Sequence, residues 1–395
     1  MKLFICILAL VATAMAEQTN ADLLKSSNEI FTANMFQEVV KSKPGENVVL
    51  SAFSVLSPLA QLSLASEGES HDEILKAIGL PNDNVTKEVF TDVTKQMRSV
   101  TGVELSLANK VYVRKGAMLH DEFTALSRDV FNSDVQNIDF VQNVDAAKEI
   151  NTWVEENTNH KIKDLVSKDS LDAHTAAVLV NAIYFKGKWK KPFLQSNTED
   201  KDFYVSKEVK VKKPTMHITD NFKYGESQEL NAKLLEIPYE GELTSLVVVL
   251  PNEVDGIGFV LEKLKDPSAL SKAVDDMRYN EVIVDLPKFK IETTTNLKNI
   301  LEKLNIVKLF KENEAKLNKL VKGQPELFVS EAIQKAFIDV NEEGTEAAAA
   351  NEFEIAPGGS LPFELIPPKY FSADRPFYFL LFIDNKITFN GIVYK

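Results

Sequence analysis

Five histidines, one cysteine and a single glycine–serine pair are the residues that could do chemistry here, and their spacing suits none of the common active sites. His71, His120, His160, His174 and His217 form no metal-spaced pair, and no HExxH occurs. A hydrolase nucleophile elbow needs GxSxG to hold its serine on a tight turn, and Gly359-Ser360 lacks the flanking residues. Gly256 and Gly258 lack the third glycine of a dinucleotide-binding loop. Cys6 is the only cysteine. A Ser/His/Asp triad assembled from distant residues stays open, but no serine stands out for it. The expectation is a protein that is no enzyme, with no cofactor and no metal.

A different kind of chemistry is written in residues 342–356, Glu-Glu-Gly-Thr-Glu-Ala-Ala-Ala-Ala-Asn-Glu-Phe-Glu-Ile-Ala. Thr345, Ala347, Ala349, Asn351, Phe353 and Ile355 alternate with Glu346, Ala348, Ala350, Glu352 and Glu354. That is the period of a strand with one covered face. The composition argues otherwise, because alanine and glutamate are depleted in sheets and favoured in helices. Taken by itself, the stretch fits a helix or exposed loop better than a latent strand. Small side chains would slide between two existing strands at little steric cost. Gly344 would permit a sharp turn, and Pro357-Gly358-Gly359 ends any regular structure.

The elements around this stretch are those of a mixed α+β protein. Phe31, Met35 and Val39 recur at helical spacing up to Pro44-Gly45, and Leu50 to Leu64 is a second apolar helix. Asp145 is placed to cap a helix presenting Ala147, Ile150 and Val154. From about residue 175 strands take over. Val178 to Phe185 reads as a strand covered on both faces, with others at 203–205, 246–250 and 282–284. Phe377 to Ile383 and Ile387 to Val393 read as a hairpin around Asp384-Asn385, and a helix returns at Asn296 to Leu304.

Composition narrows the setting. At 395 residues, 44% hydrophobic, the chain can stabilise itself by burial without disulfides. A net charge of −13 disfavours nucleic acid and anionic membranes as partners. The lysines at 186, 188, 190 and 191 and at 207, 210, 212 and 213 read as solvated strand edges rather than a polyanion site. Lys2, the apolar run Leu3 to Val11 and Ala14-Met15-Ala16 have the layout of a signal peptide cleaved after Ala16. An exported protein follows, with residues 17–395 as one domain. Asn84-Val85-Thr86 offers Asn84 for glycosylation.

Residues 342–350 resemble the hinge of inhibitory serpins. Asn47 to Ser54 resembles that family's helix behind the central sheet, and Leu179 to Trp189 resembles its central-sheet signature. Leu286-Pro287-Lys288-Phe289 and Asp374-Arg375-Pro376-Phe377 follow in the family's order. The whole chain is most similar to secreted insect-type serpins. The resemblance implies about nine helices, three sheets and a reactive-centre loop over about 342–372. It implies a monomer that forms a covalent complex with a target serine protease, whose cut loop joins the central sheet as an extra strand. Glu342, Gly344, Thr345, Glu346 and Ala347, Ala348, Ala349, Ala350 fall on the hinge. Ser51, Ser54 and Asn181 fall on a polar cluster beneath the sheet opening, with Gln334 where the family usually has histidine. Trp189 falls near the first point of insertion. A non-inhibitory serpin, acting as carrier, storage protein or chaperone, is the alternative.

The family's spacing counted from Glu342 places the scissile bond between Gly358 and Gly359. Counted back from Pro376 it falls nearer Leu365, so the distal loop is longer than in common relatives. Glycine suits an elastase-like enzyme. Leu361 or Phe363, the alternatives, would suit a chymotrypsin-like one.

Overall fold

The computed structural model describes residues 19–241, 243–323, 326–345 and 367–395. The chain opens with helix α1 (Asn20–Ser42), where Thr19 and Asp22 form a reciprocal capping box. Leu24, Phe31, Met35 and Val39 make its buried stripe. Strand β1 (Val48–Leu50) leads into α2 (Ala52–Ala65), which is buried along almost its whole length. The second helix starts two residues later than its apolar run because Val48–Leu50 pair in a sheet and Ser51 caps the helix. Helices α3 (Glu69–Ala77) and α4 (Asp83–Ser99) follow. Strand β2 (Val103–Arg114), α5 (Asp121–Phe131), β3 (Asp134–Ile138) and α6 (Asn143–Glu156) come next. The N-terminal half is therefore not purely helical. Asp145 does not cap α6: Gln142 takes that position, and Asp145 sits in the first turn, facing the positive end of the helix dipole.

The second half supplies β4 (Ala177–Lys188), β5 (Glu199–Tyr204), β6 (Lys210–Ser227), β7 (Ala232–Pro238) and β8 (Thr244–Pro251). Helices α7 (Ile257–Lys263) and α8 (Pro267–Asp275) separate these from β9 (Arg278–Pro287) and β10 (Phe289–Asn296). Helix α9 (Leu297–Lys303) is capped by Asn296. Then come β11 (Glu331–Asn341), β12 (Gly344–Thr345), β13 (Lys369–Ser372), β14 (Phe377–Ile383) and β15 (Lys386–Val393). Asp384 and Asn385, at φ 49° and 58°, turn the β14–β15 hairpin in the left-handed region that such two-residue turns require.

Among the described residues there are nine α-helices and two hydrogen-bonded sheets. The six-stranded sheet runs β10-β11-β12-β4-β2-β3. The nine-stranded one runs β1-β15-β14-β8-β7-β6-β9-β13, with β5 on β6. Two of the three expected sheets are joined because β6 serves both. Thr215 to Tyr224 pair with β9, and Lys223 to Ser227 pair with β7. Ile183, Phe185, Ile338 and Val340 of the smaller sheet meet Phe377, Phe379 and Phe389 of the larger in one core. Helix α2 fills a second core behind β4 and β11, and α6 covers the outer face of the smaller sheet in a third.

Candidate functional site

The central feature lies where β11, β12 and β4 meet. Over Glu331 to Phe337, β11 pairs directly and in parallel with Val178 to Tyr184 of β4. Beyond Phe337 the two strands are separated by β12. Thr345 lies opposite Val340 on one side and Gly187 on the other, antiparallel to both. The sheet is closed at one end and wedged apart at the other by two residues.

The local sequence explains the wedge. β11 ends at Asn341, and the chain reverses through Glu342-Glu343, whose Glu343 N–H donates to Asn341 Oδ1 at 3.1 Å. Gly344 has φ +141°, and a Cβ there would stand 2.1 Å from the Gly187 carbonyl oxygen and 2.7 Å from Lys188 Cα. Only glycine fits. Thr345 is fully buried, and its hydroxyl is 2.8 Å from Tyr239 Oη.

The turn is anchored from outside. The carbonyls of Glu342 and Glu343 accept from Phe193 and Trp189 N–H, each at 2.9 Å, and Trp189 Nε1 donates to Asn341 O at 2.8 Å. Trp189 stacks on Tyr239 at a centroid separation of 4.2 Å. The Glu342 carboxylate takes hydrogen bonds from Thr198 Oγ1 at 2.8 Å and Lys288 Nζ at 3.1 Å. Burial pushes that carboxyl upward. The hydrogen bonds from Lys288, its own backbone N–H and Thr198 outweigh burial and hold it below the usual range.

Where β11 and β4 still pair, a buried polar cluster lies beneath. Gln334 Nε2 reaches Asn181 Oδ1 at 2.6 Å, Ser51 O at 2.7 Å and Ser54 Oγ at 3.1 Å. Ser51 N–H donates to Gln334 Oε1 at 3.3 Å. Ser54 Oγ lies 2.9 Å from Asn181 Oδ1, and Asn181 Nδ2 donates to Ser54 O at 3.0 Å and to Asn109 Oδ1. All four residues singled out in the sequence are thus in one network, which ties α2 to both strands. Glutamine suits the place because it donates and accepts at once without titrating.

The structure brings Glu342, Gly344, Thr345 and Trp189 together at the wedge, and Ser51, Ser54, Asn181 and Gln334 at the closed end. Gly344 and Thr345 are already inside the sheet, and Lys369–Ser372 is strand β13, so the loop is shorter at both ends than 342–372. Glu346, Ala347, Ala348, Ala349 and Ala350 lie outside the described residues, as do Gly358, Gly359, Leu361, Phe363 and residues 1–16. Asn84 is exposed in the first turn of α4. The lysine clusters are largely engaged: Lys210 and Lys212 pair with Asp202, and Lys191 with Asp220. The described residues offer no His/Cys/Asp/Glu cluster fit to hold a metal. Tyr239, Asn109, Phe193 and Thr198 were not foreseen. Nothing in a single sequence marks them, whereas Gly187 and Lys288 stood inside quoted motifs without a role.

A nearly complete central sheet, wedged open at one end by a glycine-led hairpin, is the architecture of the serpins, and the chain belongs to that family. The family model described as "Serpin (serine protease inhibitor)" matches residues 26–395. The protein is an inhibitor of proteases rather than an enzyme. Within the family it is similar to insect members. "Antitrypsin" of Bombyx mori is 55% identical, the match covering 99% of both chains. "Antichymotrypsin-2" of the same species is also 55% identical, over 94% of this chain and 98% of its own. The crystal structure of Serpin48 from the insect Tenebrio molitor, described as highly specific, aligns with a TM-score of 0.87 at 34% identity. That alignment covers 96% of this chain and 99% of the other.

Proposed function

We propose that this serpin is a secreted suicide inhibitor of serine proteases, cleaved between Gly358 and Gly359 and completed by insertion of residues 346 onward between β11 and β4. Residues 1–16 serve as the cleaved signal peptide, 17–395 as the single working domain, and Asn84 as a glycan site. The protein works as a monomer, one molecule to one protease.

The observation that carries this proposal is the register of β12. Thr345 is opposed by Val340 and Gly187. Continued six residues further, that register sets residue 351 opposite Gln334 and Asn181, which now pair with each other. Both flanking strands give the same answer, so one added strand satisfies both. It carries Asn351 to the polar cluster, where an amide can replace the direct Gln334–Asn181 bond. Ala347 would pass between Ile338 and Phe185, and Ala349 between Ala336 and Ile183, where little room exists for larger side chains. Phe353 would meet Ala332 and Leu179 in the buried core.

Energetics favour the step. A parallel pair is exchanged for two antiparallel ones. About a dozen new hydrogen bonds at roughly 1 kcal/mol each give on the order of 10 kcal/mol. Burial of Phe353 and Ile355 adds roughly 3–6 kcal/mol. Before cleavage the chain is held in a kinetic trap. After cleavage this release is enough to drag and distort an acylated enzyme.

An elastase- or chymotrypsin-like protease fits the loop. Relatives equally similar to this chain are named for opposition to trypsin and to chymotrypsin, so overall similarity does not choose the target. Incubation with trypsin-, chymotrypsin- and elastase-like enzymes tests the function. A detergent-resistant adduct is expected, with a released C-terminal peptide starting at Gly359 by mass spectrometry. Turnover of the chain by every enzyme with no adduct would leave a carrier or storage role. A peptide starting at Glu364 would move the bond to Phe363.

A further inference from the structure

Tyr279 and Tyr370 are among the most exposed large side chains of the described residues, at 74% and 64%. They lie on the outward face of one sheet corner. On β9, Tyr279, Glu281, Ile283 and Asp285 point away from the core while Val282, Val284 and Leu286 point into it. Tyr370 of β13 is registered against Ile283, so it shares the outward face, and buried Phe371 takes the other. Four residues along a strand and one strand across put the two rings roughly 14 Å apart. Neither is needed by the core. Among the described residues Lys223 lies over the Tyr279 ring, at 6.0 Å, and that lysine is paired with Glu236.

Their position relative to the loop gives them meaning. β13 runs parallel to β9, with Lys369 beside Val282. Followed backward, the chain leaves β13 in the direction of Asn280 and Tyr279. Pro367-Pro368 stiffens that exit. Any bond between residues 358 and 364 is within about 30 Å of Pro367 along a fully extended chain. A serine protease of about 230 residues has a radius of gyration near 17 Å. An enzyme of that size on so short a tether has to overhang this corner.

We propose that Tyr279 and Tyr370 form a secondary docking surface for the target protease, touched in the encounter complex before the loop is cut. The proposal rests on the inhibitory reading given above and adds a contact outside the loop. Tyrosine suits the task, with large contact area, two side-chain torsions to freeze and a hydroxyl for the partner. Asp285 on the same face is already paired with Lys201 and His217, and Lys369 stands beside Tyr370, so the patch carries mixed charge and the rings supply the contact.

The test compares Tyr279→Ala, Tyr370→Ala and the double variant with wild type, using pancreatic chymotrypsin and pancreatic elastase as probes. The association rate constant is expected to fall about three- to tenfold in the double variant, with stoichiometry of inhibition and Tm unchanged. Tyr279→Phe separates ring contact from hydroxyl contact and should keep most of the rate. An unchanged rate with both enzymes overturns the proposal, and so does a rate loss accompanied by a lower Tm, which would mean that the rings pack on this chain's own loop. Wild type that forms no adduct with any protease would instead defeat the inhibitory reading itself.

Discussion

At the scale of single residues, the hinge is built on one glycine and one carboxylate. Gly344→Ala forces a Cβ onto the Gly187 carbonyl at a φ that side chains rarely adopt. The expected cost is about 1–3 kcal/mol, with the hinge displaced from the sheet and Thr345 parted from Tyr239. Thermal unfolding and proteolytic sensitivity at the hinge measure it. Glu342 adds a pH dependence whose sign is fixed by its lowered pKa. A depressed carboxyl contributes stability that is present above the ordinary glutamate pKa and is lost as pH falls through the lower folded value. Glu342→Gln should therefore melt below wild type near neutrality, and the gap should close in acid. A gap that stayed constant with pH would assign Glu342 a role independent of its charge. His71 runs the opposite way. Burial lowers its pKa, but hydrogen bonds to Asp83 and Asp72 win and leave it raised. Its contribution is full below the ordinary histidine pKa and is lost as pH rises through the folded value, so His71→Gln should destabilise at pH 5.5 and not at pH 9.

At the scale of elements, the question is what lets β11 and β4 part. Seven residues of parallel pairing join them, backed by the Gln334–Asn181–Ser54–Ser51 network. Gln334→Leu would leave Asn181 and the Ser51 backbone short of partners in a buried site. The expected loss is about 1–3 kcal/mol, read as a lower Tm, with faster conversion to inactive inserted or polymeric forms on heating. Thr345→Arg acts at the other end by placing a charge beside Tyr239 and Trp189, where the sheet has no space. It should turn the inhibitor into a substrate, seen as cleaved chain without adduct. An unchanged stoichiometry would mean that insertion does not depend on the seat Thr345 already occupies between β11 and β4. The alternation of 345, 347 and 349 was legible in the sequence, but alanine and glutamate propensities pointed to helix or loop. In the proposed insertion, the register beside β11 and β4 would turn that weak local pattern into a strand, because there the partners exist beforehand. The alternation of β10 was as plain, with Phe289, Ile291, Thr293 and Thr295 all inward, yet two of those residues are polar and hydrophobicity alone passes over them.

At the scale of the whole molecule, cleavage is the decisive perturbation. Chain nicked in the loop should melt roughly 15–30 °C higher than intact chain, given the energy released by one more central strand. Hydrogen exchange should show slower exchange in β4 and β11, whose parallel pairing is replaced by two antiparallel ones. Equal melting of the two forms would remove the driving force on which trapping depends.

Residue types and periodicity, which are local, carry the mixed α+β class, the glycine at the turn and the alternation after it, while the polar residues that meet beneath the sheet came from the resemblance of short motifs to a family. Tertiary structure decided how they are used. It joined two expected sheets through β6, drew Gly344 and Thr345 into the central sheet, and surrounded Glu342 with Lys288 and Thr198. It also set Gln334 and Asn181 opposite each other at the same distance from the partners of Thr345. Pairing partners and register depend on contacts that bring together elements far apart in the chain, such as β4 and β11, and no local pattern encodes those.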